Sequence, residues 1–346
     1  MKLFQSSFFP LPLILGMILL ASVFVSVAVG YGDWGGIPDT WNMLWRWLSG
    51  RSPGAHEEIL RTVFIHLRLP RILLEIFVGA NLAVAGVLLQ ALFRNPLAEP
   101  YSVGVSSGAA LGAVIAVTIG FRETFTGIGL QSLTAFAGAL LVTFVVYSVA
   151  RQNGVVQTTR LLLTGLAVAA VIQAATTLML LQFEFIRLRS VLSWTLGSFS
   201  NKGWSHVVMI APFSLMGITI CLLLAKPMNI LCLGEDKAKS LGLSVEKFKM
   251  IVFILAALLT GTAVAVSGII AFVGLVVPHI MRMITGPDHR RLIPAAALGG
   301  GLLVLYADLI VRFLSKTQEI PIGVVTSVFG GVMFIHLLKH SRQNLS

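Results

Sequence analysis

Ten apolar runs, each separated from the next by a short polar or glycine-containing stretch, constrain this chain more than any single motif. They cover 11–30, 70–93, 101–120, 128–150, 156–182, 205–225, 248–272, 275–286, 293–314 and 321–338. A helix needs about 20 apolar residues to cross a hydrocarbon core about 30 Å thick. A backbone in lipid must also satisfy its own hydrogen bonds, which favours helices. The pattern therefore predicts an all-α integral membrane protein of about ten transmembrane helices, forming a single domain over 1–346. Composition agrees. Of 346 residues, 56% are hydrophobic and only 11% charged, whereas soluble domains carry about 25% charged residues.

The first run, Leu11 to Val29, is longer than the roughly 7–15 residue core of a secretion signal, and no small-x-small cleavage site follows it. It reads as a retained helix. The eighth run is too short to cross alone and carries Pro278 before Gly286-Pro287, so a short helix packed inside the protein is expected. Segment 183–204, with Arg187, Arg189, Trp194 and Gly197, is too polar to span and reads as a short amphipathic helix at the outer face.

The net charge of +11 comes from basic residues scattered between apolar runs, with no basic face interleaved with aromatics, so nucleic acid is not an expected partner. Lysine bias sets the orientation. With the N-terminus inside, Lys2, Lys226, Lys237, Lys239, Lys247, Lys249 and Lys339 face the cytoplasm, and only Lys202 and Lys316 lie outside. Arginine runs against the bias: Arg46, Arg51, Arg61, Arg68, Arg71, Arg122, Arg187, Arg189 and Arg312 fall on the outer side. Such a collection reads as a docking surface for an acidic partner. Gly104, Gly108 and Gly112 recur every four residues and line one helix face, the kind of stripe that lets helices approach closely in lipid.

Cys221 and Cys232 show no metal-ligand spacing, no His/Asp/Glu/Cys set does either, and no nucleophile–base set is convincing. No catalytic residue, metal or bound cofactor is expected. The ionisable residues inside spans, Glu75, Asp308, His279 and Arg282, are functional suspects by default. For His279 and Asp288, structural hydrogen bonding around the short helix is the favoured reading, and Glu75 is expected to pair with a nearby arginine.

Several blocks in order carry a resemblance that composition cannot supply. They are Arg68-Leu-Pro-Arg71, Arg94-Asn-Pro-Leu-Ala-Glu-Pro100, Gly104-Val-Ser-Ser-Gly108, Leu161-Leu-Leu-Thr-Gly165, Trp194-Thr-Leu-Gly197, Leu233 to Gly242, Gly274-Leu-Val-Val-Pro-His279, Gly286-Pro-Asp-His-Arg290 and Ile320-Pro-Ile-Gly323. Together they resemble the FecCD permease family, the membrane subunits of ABC importers for iron chelates, haem and cobalamin. The resemblance implies a type II ABC importer permease fold in the cytoplasmic (inner) membrane. It also implies a second permease subunit forming a homodimer, a cytoplasmic ABC ATPase dimer and an extracytoplasmic substrate-binding protein. The chain lacks a Gly-x-x-x-x-Gly-Lys-Ser/Thr loop, so ATP is expected to be used by the partner subunit.

By resemblance, Leu233, Gly234, Glu235, Asp236, Lys237, Ala238, Lys239, Leu241 and Gly242 form the coupling segment that the ATPase grips. The same resemblance makes Arg68, Arg71 and Arg312 the residues that meet glutamates of the binding protein. Gln173, Thr176, Thr177, Met179, Phe183, Arg189 and Trp194 are the candidates for the translocation path. A ferric siderophore is the first expected cargo, with haem or cobalamin as alternatives. A proton- or sodium-driven carrier is the rival class, and it would need intramembrane acids such as Glu75 and Asp308 on its path.

Overall fold

The computed structural model describes residues 10–28, 42, 45–46, 49, 55–119, 124–125, 128–314 and 320–341. Helix α1 is Pro10–Ala28. Helix α2, Ala55–Val63, runs through a π-helical turn at Phe64–Arg68 into α3, Leu69–Phe93. After a 3-10 turn at Pro100–Val103 come α4 (Val105–Ile119), α5 (Leu130–Ala150), α6 (Thr158–Leu180) and the short α7 (Phe185–Thr195). The chain continues with α8 (Trp204–Leu223), α9 (Ala225–Cys232), α10 (Glu235–Ser240) and α11 (Val245–Ser267). It closes with α12 (Val273–Thr285), α13 (His289–Leu314) and α14 (Ile322–Ser341).

Among the described residues, the helix continuing into α3, with α5, α6, α8, α11 and α13, is each long and apolar enough to cross a membrane. The shorter apolar helices α1, α4, α12 and α14 bring the count to the ten expected. Two small antiparallel ribbons were not foreseen. One pairs β1 (Thr124–Phe125) with β2 (Ile128–Gly129) before α5. The other pairs β3 (Arg151–Gln152) with β4 (Val155–Val156) before α6. The second is turned by Asn153 and Gly154, both with positive φ, the two-residue hairpin chemistry that suits strand twist.

Helix α3 is the axis of the bundle, buried along nearly its whole length, with α11 and α13 against it. It runs antiparallel to α13: Gly79 lies at the carbonyl of Gly300, and Arg71 reaches Asp308. A Cβ on Gly79 would sit 2.1 Å from the Gly300 oxygen, so the helices are in backbone contact there. The stripe of small residues on α4 behaves as expected, with Gly108 and Gly112 packed against backbone at Gly138 and Thr134 of α5. Helices α5, α6 and α8 lie at the periphery, and α6 is the least buried of the long spans.

Two expected spans are shorter than read. Helix α4 begins at Val105 rather than 101, and α11 ends at Ser267 rather than 272. In both places the chain breaks beside the middle of α3. Gly274 packs against Leu82 and Gly86, and Pro100 lies against Gly274. Irregular backbone at such depth must be satisfied by protein. Tyr101 Oη donates to the Ile270 carbonyl (2.8 Å) and accepts from the Ile270 N–H (3.1 Å). The Glu99 carboxylate accepts from the Phe272 N–H at 2.8 Å. The end of α7 dips to the same break, where the Ser198 N–H donates to Ser267 O, while Ile322 and Gly323 at the start of α14 donate to Gly197 and Leu196.

Candidate coupling and translocation sites

At the end of the bundle where α3 starts and α13 finishes, four charged side chains converge. Pro70, in the first turn of α3, follows directly on the π-helical turn, the local irregularity that accommodates its missing N–H. One turn apart on this helix, Arg71 and Glu75 face α13, where Asp308 and Arg312 are also one turn apart. Arg71 grips Asp308 with two hydrogen bonds, Nη2 to Oδ1 at 2.7 Å and Nε to Oδ2 at 3.1 Å. Arg312 donates to Glu75 Oε1 at 2.9 Å and to Asp308 Oδ2 at 2.6 Å. Its third direction is taken by the Ser26 carbonyl (3.0 Å) and hydroxyl of α1. Arg68 donates to the neighbouring Val27 carbonyl at 2.6 Å.

Both carboxylates are fully buried and two guanidinium groups neutralise them. The arginine partner expected for Glu75 is therefore Arg312, with Arg71 at 3.5 Å. Arg312 and Arg68 are buried and Arg71 is partly buried, and each finds internal partners among α1, α3 and α13.

At the opposite end lies segment 233–242. Gly234 and Gly242, both with positive φ, bracket α10, and the Gly242 side of the loop closes with the Leu243 N–H on the Ala238 carbonyl. Ala238 is buried against the bundle, while Leu233, Asp236, Lys237, Lys239, Leu241 and Gly242 are exposed. Glu235 is tied down: its Oε2 accepts from Lys249 Nζ at 2.8 Å, and its Oε1 is 3.9 Å from Arg94 at the end of α3. Lys249, expected to face the cytoplasm, is 3% exposed. It also donates to Glu246 (3.1 Å) and to the Val156 carbonyl (3.0 Å). Glu246 completes the clasp by accepting the Val156 N–H at 2.9 Å.

Beside it, Asp288 caps α13. Its Oδ1 accepts from Asn229 Nδ2 (2.7 Å) and from the Arg290 N–H (3.1 Å), and Asn229 Oδ1 accepts from the His289 N–H (3.0 Å). Burial opposes ionisation of Asp288. The Asn229 amide, the Arg290 N–H and the charges of Arg290 and Arg291 outweigh it and hold the carboxyl below its usual value. The structural role expected for Asp288 is the one seen; His279 is partly buried beside Pro278 on α12.

The path candidates do not converge on one wall. Gln173 and Thr177 lie one turn apart on the exposed face of α6, with Thr177 Oγ1 bonded to the Gln173 carbonyl. Thr176 points into the bundle and bonds the Ile172 carbonyl. Met179 and Phe183 are partly buried near the end of α6. Trp194 is buried where α7 meets the break at Gly268. The side chain of Arg189 lies outside the described residues. Among those residues no three His, Cys, Asp or Glu side chains come together as a metal site.

Sequence reasoning missed the clasp of Lys249, Glu246 and Val156. Its signals were present: Asn153-Gly154 marks the hairpin, and Glu246 and Lys249 are one turn apart at the start of a span. It also missed the Glu99 and Tyr101 supports, though both sit inside the Arg94–Pro100 block and its continuation.

With this geometry in place, a family model described as the FecCD transport family matches residues 18–340. The hemin transport system permease protein HmuU of Yersinia pestis is 36% identical over 335 residues, 96% of this chain and 97% of that protein. The cobalamin import system permease protein BtuC of Halobacterium salinarum is 41% identical over 273 residues, 79% of this chain and 72% of its own length. A solved structure of an ABC transporter assigned to the metal-chelate type, in an inward-facing conformation, superposes with a TM-score of 0.83 at 29% identity. It covers 95% of this chain and 98% of that one.

Proposed function

The chain belongs to the FecCD transport family, and from that premise we propose that it carries an iron chelate, a ferric siderophore first, across the cytoplasmic membrane. It is a multi-pass permease of an ABC importer, so an ATPase subunit powers it and a second permease subunit completes the channel. The family consists of permeases rather than enzymes. The single observation that carries the chelate reading is the end-to-end likeness to the metal-chelate type transporter, which favours a large complexed cargo over a bare ion. Haem and cobalamin are the cargoes in the names of the two relatives, and they are the competing outcomes of the test.

In this reading segment 233–242 is the surface that the ATPase grips. Its exposed Leu233, Asp236, Lys237, Lys239 and Leu241 surround a buried Ala238, as a small element docked on a partner would. An extracytoplasmic binding protein sits at the other end, where Arg68, Arg71 and Arg312 act by holding α1, α3 and α13 in register beneath it. Gln173 and Thr177 face the path between the two permease subunits. A gradient-driven carrier fits poorly, because Glu75 and Asp308 are already neutralised by Arg71 and Arg312.

The test is uptake into proteoliposomes containing the permease with its cognate ATPase and binding protein. Labelled ferric siderophore, haemin and cobalamin are compared with and without ATP. ATP-dependent accumulation of the ferric siderophore alone is the expected result. Accumulation of haemin or cobalamin instead overturns the cargo, and uptake that ignores ATP but follows a proton or sodium gradient overturns the class.

A further inference from the structure

Lys249 stands where three otherwise separate parts of the chain meet. Its ammonium group has three donors, and each has a partner: Glu235 of α10, Glu246 of its own helix and the carbonyl of Val156. Glu246 takes the N–H of the same Val156. Both backbone groups of the residue that ends β4 are thus held by side chains of α11. Two residues later α6 begins. The chain of contacts runs from α10 through one carboxylate and one ammonium to the base of α6.

The two helices joined in this way differ in how firmly they are held. Helix α11 is mostly buried within the subunit, and α6 is mostly exposed. Within one subunit the well-buried helix serves as frame, and α6, with few neighbours in its own chain, is the span that the subunit's own fold holds least. A displacement of α10 that reaches Lys249 therefore has a soft outlet, the β3–β4 hairpin and α6 behind it. The exposed polar pair Gln173 and Thr177 lies on that same α6, about four to five turns further along.

We propose that Lys249 is the positioning residue that passes movement of α10 to α6, with Glu235 and the Glu246–Val156 clasp as the two sides of the joint. This rests on the reading of segment 233–242 as the ATPase contact. A simple structural brace would make the same bonds, so the test must read motion rather than stability.

The assembled importer carries Cys232→Ser, to remove an exposed native thiol, and an environment-sensitive fluorophore on one introduced cysteine. Ser240→Cys reports on exposed α10 and Leu163→Cys on exposed α6. In the unaltered joint both labels respond to ATP. With Lys249→Met the α10 label still responds, and the α6 response falls at least about five-fold, the low end for coupling between linked sites. Glu235→Ala, at a partly exposed residue whose loss leaves the hairpin clasp intact, gives the same split, and Lys249→Arg recovers most of the α6 response. An unchanged α6 response in both Lys249→Met and Glu235→Ala, with the α10 label responding, overturns the inference alone. No response of the α10 label in the unaltered joint overturns the ATPase-contact reading, and the inference with it.

Discussion

Replacing Arg312 with methionine removes a cation of similar length from the buried cluster and leaves Glu75 and Asp308 to share Arg71. Glu75 then keeps only the 3.5 Å approach of Arg71, and the Ser26 carbonyl loses its donor. Breaking one partner out of a buried ion pair costs about 3–5 kcal/mol, because the remaining charge is desolvated and uncompensated. Removing Glu75 as well, as Arg312→Met with Glu75→Leu, restores neutrality around the two-bond Arg71–Asp308 pair. Replacing a buried pair by apolar groups is often neutral, so the double variant should recover about 2 kcal/mol or more relative to Arg312→Met. The assay is equilibrium unfolding in mixed micelles with increasing denaturing detergent, followed by tryptophan emission. A cost below about 1 kcal/mol for Arg312→Met, the range of exposed ion pairs, refutes the buried-cluster argument. So would strict additivity of the two substitutions, since residues in one network should couple. An arginine serving only as a surface docking charge would lower binding-protein affinity and leave this midpoint unmoved.

Gly79→Ala places a methyl group 2.1 Å from the Gly300 carbonyl and should cost about 1–3 kcal/mol by overpacking. Gly16→Ala, with nothing within 4 Å, should be neutral or mildly stabilising in the same unfolding assay. Asp288→Ala should cost about 1 kcal/mol through the lost helix cap. Because the folded Asp288 carboxyl is held below its usual value, its contribution is present above pH about 4 and disappears as pH falls further through the folded value. Unfolding midpoints of wild type and Asp288→Ala should therefore converge at acid pH. Gln173→Leu with Thr177→Leu should leave unfolding of the subunit unchanged and reduce ATP-driven uptake; unaltered uptake would remove both from the proposed path.

Hydropathy alone located the ten apolar helices, because the need for internally bonded backbone leaves lipid-spanning chains few options. The polar stretch before Gly197 gave α7, and the paired glycines gave the ends of α10, both from local chemistry. Long-range pairing was not legible. Arg71 and Asp308 are 237 positions apart, and only the antiparallel packing of α3 on α13 brings them together. The helix breaks beside Pro100 and Ile270 escaped notice for a related reason. The backbone groups of Ile270 and Phe272 are satisfied by Tyr101 and Glu99 from a distant part of the chain, so apolar sequence ran on where the helix did not. Lys249 lies at the same end of the bundle as segment 233–242, but its burial was not legible because its partners come from β4 and α10.

The thin packing around α6 has a bearing on the life of the protein before it is assembled. A freshly inserted subunit presents Gln173, a side-chain amide, on an otherwise greasy helix with acyl chains for neighbours, and an amide without a partner in hydrocarbon is costly. On the proposed placement of Gln173 between the two permease subunits, pairing with a second subunit covers that group. The fraction of subunits in the sound, paired state is then set by how many share the same patch of bilayer, as for any obligate dimer. Overproducing the ATPase or the binding protein would not rescue an orphan. Only another permease subunit would.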